Sequence, residues 1–152
     1  LAAAPLAALQ PTHVRWLAVW LGEALLGGII GAIGIVLKAR TRGVPLDIGP
    51  ARRFALGLAP PIIAGGALTF ACVRQDAWSL IPAVWLLCYG IAVLGAGAVS
   101  ATRIVPALGA SFVLTGLAAI ASPSSWGDAY MAIAFGVAHI IAGAVIARHH
   151  GG

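Results

Sequence analysis

The chain has 152 residues, of which 61% are hydrophobic and only 9% charged, with a mean hydropathy of +1.03. A water-soluble domain carries about a quarter charged residues, so this composition excludes a surface built for water and leaves lipid as the solvent. The net charge of +5 does not argue for nucleic acid, because the nine Lys and Arg residues sit between apolar runs and read as topogenic charges.

Residues 1–9, LAAAPLAAL, have no basic residue before them and so lack the charged start of a signal peptide. They are either a flexible or processed end or, the reading preferred here, the last turns of an earlier spanning helix. Gln10, Pro11 and Thr12 form a turn, with Thr12 or His13 at the start of the next helix. Five apolar runs follow, at 16–37, 54–73, 78–99, 104–121 and 129–147. Each is near the ~20 residues a helix needs to cross a bilayer. Unpaired backbone groups are not tolerated in hydrocarbon, so the expected fold is all-α. It is a polytopic transmembrane bundle of five spanning helices plus a partial N-terminal helix, forming a single membrane domain over 1–152.

The segment 38–53, KARTRGVPLDIGPARR, is the long polar interruption and holds five of the nine Lys and Arg. Placing it in the cytoplasm puts Lys38, Arg40, Arg42, Arg52, Arg53, Arg103 and Arg148 inside and only Arg15 and Arg74 outside, a split of seven to two. Trp16, Trp20, Trp78 and Trp126 then fall at the outer interface, where indoles belong. Asp76 and Asp128 stand beside them, expected as N-caps of the third and fifth helices, and this rim of Trp and Asp is a candidate outer binding surface. The expected location is the bacterial inner (cytoplasmic) membrane, with a cytoplasmic C-terminus.

Proline placement is informative at one point. Pro60 and Pro61 remove two consecutive helical hydrogen bonds, so either the second helix is kinked or broken there, or it begins near Ala59. Cys72 and Cys88 differ in depth by roughly 15 Å on this layout, too far for a disulfide.

Two ionisable residues lie at membrane depth, Glu23 and His139. Such groups are costly in hydrocarbon and are functional candidates by default. Glu23 shares a helix face with Gly27, Gly31 and Gly34, and His139 shares one with Ala132, Gly136, Gly143 and Ala147. Faces of small residues permit close helix approach, so the two are expected to meet, directly or through a water. The simpler role is a hydrogen bond that fixes helix register; the sharper one is a proton or ion path. No second mid-membrane histidine faces His139 for haem, and no Cys or His stands at metal-ligand spacing. The serines, Ser100, Ser111, Ser122, Ser124 and Ser125, carry no nucleophile motif. No cofactor is therefore expected, and no residue pattern here names an enzymatic reaction.

FALGLAPPIIAGG and the ending WGDAYMAIAFGVAHIIAGAVIARHHGG resemble small bacterial polytopic membrane proteins of uncharacterised activity, across roughly residues 52–152. The resemblance implies a further helix ahead of residue 1 and transfers no activity. The expected function is a small membrane protein of structural, accessory or regulatory type, in contact with lipid and with other subunits or itself. The alternative is a transporter-like or proton-conducting protein using Glu23 and His139.

Overall fold

A computed structural model describes residues 2–41, 43, 48–98 and 102–150. Arg42 and residues 44–47 of the polar segment, and Ser100, lie outside the described residues. The described chain is all-α, with a short N-terminal helix and five helices long and apolar enough to cross a membrane. It is a small multi-span membrane protein. It divides into two compact units, Ala2–Ala51 and Arg52–Gly152.

In the N-terminal unit, α1 (Ala3–Ala8) packs on α2 (His13–Thr41) through the small buried side chains of Ala3 and Ala7. The Thr12 hydroxyl accepts from the Arg15 N–H at 3.3 Å, which caps α2 as the sequence suggests. The helix does not stop at Leu37 but continues to Thr41, into the polar segment. Lipid-length apolarity ends where charges begin; backbone hydrogen bonding does not.

The second unit holds α3 (Ile48–Arg74) from Arg52 onward, α4 (Ile81–Gly97), α5 (Ile104–Ala121) and a last crossing in three parts. These parts are α6 (Gly127–Met131), a π-helical segment (Ala132–Ala138) and α7 (His139–His150). Single 3₁₀ turns at Trp78–Leu80 and Ser124–Trp126 lead into α4 and α6.

Glycines set how closely these helices approach. A methyl on Gly109 would stand 2.7 Å from the Leu94 nitrogen and 2.9 Å from the Gly90 carbonyl oxygen, so α4 and α5 meet backbone to backbone. Side-chain layers follow from this contact. Leu86, Phe112, Ile81 and Met131 are fully buried, and α4 is the central helix of the unit. Most leucines and isoleucines elsewhere remain exposed, as they should where lipid replaces protein neighbours.

Three expectations change. The polar segment 38–53 is helical at both ends, because α3 begins at Ile48. α3 runs through Pro60 and Pro61 as one helix, so it is not broken in two there and does not begin at Ala59. A proline need not end a helix when a neighbour covers the freed carbonyl, and α4 does so here. Asp76 and Asp128 are not N-caps. Asp76 has a positive φ of 55° in the turn after α3, and its carboxylate accepts from the Trp78 indole N–H at 2.8 Å. Asp128 is the second residue of α6, whose N-cap position is Trp126.

Candidate functional site

His139 begins α7, directly after the π-helical segment. Its Nε2 lies 2.9 Å from the Tyr89 hydroxyl on α4, and its Nδ1 lies 3.3 Å from the Ala134 carbonyl oxygen. That carbonyl can only accept, so Nδ1 carries the proton in this bond. In the neutral ring Nε2 then accepts from the Tyr89 O–H. Both ring nitrogens are thus engaged, one across helices and one along its own.

The local backbone explains the second bond. A π-helix reaches back five residues rather than four, and His139 is five residues past Ala134. The imidazole therefore supplies a donor to a carbonyl in the widened turns.

Aromatic rings surround the pair. Phe112 of α5 is fully buried, with ring centroids 4.8 Å from Tyr89, 4.8 Å from Phe135 and 5.3 Å from His139. The rings of Phe135 and His139 are nearly parallel, at 9° and 6.3 Å. Edge and tilted contacts of this kind add ~0.5–1.5 kcal/mol each beyond burial. One turn before Tyr89, the Trp85 indole N–H donates to the Thr69 hydroxyl of α3 at 2.7 Å, and Thr69 donates to the Gly65 carbonyl, also at 2.7 Å. So α4 reaches α3 with one polar side chain and α7 with the next.

The sequence singled out His139 but missed Tyr89, Phe112 and Phe135. The available signal was Tyr89 itself, a hydroxyl in the middle of the apolar run LLCYGIAV that requires a partner in hydrocarbon. Glu23 belongs to the N-terminal unit and His139 to the other.

The rim residues fall at connections. Trp78 and Asp76 bond to each other between α3 and α4. Trp126 sits between α5 and α6, with its ring 6.3 Å from Tyr130, whose hydroxyl is 2.8 Å from the Ser122 hydroxyl. Trp16 and Trp20 lie in the first turns of α2. Both cysteines are free, and the Ser111 and Thr115 hydroxyls bond to carbonyls of their own helix. Among the described residues no group of three His, Cys, Asp or Glu side chains could hold a metal ion. No family model, no curated protein and no solved structure matches the chain.

Proposed function

We propose that this is a structural or accessory membrane protein, whose second unit is a rigid packing element locked by the Tyr89–His139 bond. In this reading the membrane is the inner one, with the 38–53 segment and the C-terminus cytoplasmic, which the seven-to-two split of Lys and Arg supports. The observation that carries the reading is the complete engagement of His139 within its own unit: Nε2 on Tyr89 and Nδ1 on Ala134. A relay histidine must exchange bonds during turnover, whereas this ring is clasped on both sides and packed by Phe112 and Phe135. Affinity purification from native membranes, with quantitative mass spectrometry of co-purified proteins, tests the accessory role. A stoichiometric membrane partner is the expected result, and recovery of the chain alone at native levels contradicts it.

A second reading, proton or ion conduction through Glu23 and His139, is favoured by the π-helical segment beside His139, since such segments recur at functional sites. Liposome flux measured for wild type and Glu23→Gln separates the two. Flux that depends on Glu23 selects conduction and removes the accessory reading.

A further inference from the structure

The helix register of the Arg52–Gly152 unit places its charges in two bands. Tyr89 and His139 are level, bonded to each other, and Phe112 packs on both. Arg103 lies nine residues before Phe112 and Arg148 nine residues after His139, so each stands ~13 Å from that level, toward the same end. On α3, Gly57 packs against Ala96, itself seven residues past Tyr89. Arg52 and Arg53 lie four to five residues beyond Gly57, which brings them to ~17 Å on that same side. In the other direction Gly65 packs on Cys88, and Arg74 and Asp76 follow it by nine and eleven residues; Asp128 precedes His139 by eleven. These lie ~13–16 Å away at the opposite end.

The hydrocarbon core of a bilayer is ~30 Å thick. With the Tyr89–His139 level set at the midplane, both charge bands fall within a few ångströms of the hydrocarbon boundary, ~15 Å out, from which arginine side chains extend to the headgroups. The two bands differ in sign. One end carries Arg52, Arg53, Arg103 and Arg148, all exposed. The other carries Arg74 with Asp76 and Asp128. Of the chain's four carboxylates, Glu23 belongs to the other unit and Asp47 lies outside the described residues.

We propose that the four-arginine band is a binding surface for anionic phospholipid headgroups, whose phosphates are held by Arg52, Arg53, Arg103 and Arg148. Guanidinium groups at headgroup depth suit a phosphate diester because they stay charged, donate in pairs and extend from the helix ends to the interface. Juxtamembrane cations attract anionic lipid with a strength equivalent to about a fivefold preference per residue. This assignment goes beyond the accessory reading and stands whether or not a protein partner exists.

The test is lipid retention by the full chain. Protein is purified from mixed micelles containing equal phosphatidylglycerol and phosphatidylcholine, and the lipid that stays bound is counted by mass spectrometry. Wild type is expected to enrich phosphatidylglycerol roughly fivefold or more. The variant R52Q/R53Q/R103Q/R148Q is expected to show no preference, and R74Q to keep it. Equal enrichment in the quadruple variant, or none in wild type, overturns the proposal. Complete competition by inorganic phosphate at millimolar concentration also overturns it, because the site would then be one for free phosphate. Should the quadruple variant fail to fold, wild type is measured in rising salt. Loss of the enrichment by 1 M salt is expected from screening, and its persistence overturns the proposal.

Discussion

The carbonyl oxygen of Gly57 lies against the bare α-carbon of Gly95: a methyl placed on Gly95 would stand 3.2 Å from that oxygen. Helical donors to this carbonyl would be the N–H groups three and four residues on, and those residues are Pro60 and Pro61. Neither has an N–H. Gly57 is therefore the carbonyl that the double proline orphans, and α4 presents to it a glycine whose Cα–H groups are weak donors at close range. The two glycines and two prolines form one arrangement, and it lets α3 continue unbroken.

Substitution at either end of this contact has opposite expected signs. Gly57→Ala puts a methyl 3.0 Å from the Ala96 nitrogen and the Gly95 carbonyl carbon, backbone atoms that cannot step aside. It should lower stability in detergent by about 1–3 kcal/mol. Pro61→Ala returns an N–H to the Gly57 carbonyl and should raise stability by about 1–3 kcal/mol. Thermal unfolding of the two variants beside wild type checks the pair of signs.

Glycines that look alike in the sequence should separate sharply by experiment. Gly109→Ala meets backbone on α4 at 2.7–2.9 Å and should cost about 3 kcal/mol or prevent packing. Gly31→Ala has nothing within 4 Å and should be neutral or stabilising by up to about 1 kcal/mol through helix propensity. Melting temperatures that fall equally for both would contradict the backbone contact of α4 and α5.

Tyr89→Phe keeps the ring contacts and deletes one hydroxyl. It leaves Nε2 of His139 without its donor and should cost about 1–3 kcal/mol. In a cycle with His139→Leu, the double variant should be less damaged than the sum of the singles by about 1 kcal/mol. Strict additivity would show that the bond contributes nothing to stability.

Sidedness has its own check. In a background lacking Cys72 and Cys88, cysteines at Arg40 and Arg103 should label from the cytoplasmic side and one at Ser124 from the other. Arg103 and Ser124 flank α5, so labelling of both from one side would mean that this helix does not cross.

Five crossings were legible because lipid demands long apolar runs, and nothing else in the chain has that length. The residue pairs were less legible. A glycine on an apolar helix reads identically whether a methyl there would meet nothing within 4 Å, as at Gly31, or another backbone, as at Gly109. His139 was visible as a charge-bearing group at depth. The Tyr89 hydroxyl is legible as one that needs a partner in hydrocarbon, but no spacing in the sequence names His139, fifty residues on, as that partner. The cap expected at Asp76 fails because an acidic residue before a helix also serves turns, and Asp76 holds an indole instead; the one at Asp128 fails because α6 begins a residue earlier, at Gly127.

The π-helical segment has a consequence for changes in length. Widening the turns over Ala132–Ala138 takes up about one residue more than an α-helix of equal rise. Each residue of an α-helix turns by ~100°, so an α-helix of the same sequence would point His139 well away from Tyr89. The last crossing is thus two half-helices out of phase, with the clasp holding the phase difference. Removing a single residue between 132 and 138 should relax those turns to regular helix, yet keep the faces of α6 and α7 aligned with α4 and α5. The same deletion inside α5, where no slack exists, would rotate every residue beyond it. Single-residue deletions within the spans should therefore be tolerated at one depth in the last span and rejected in α5.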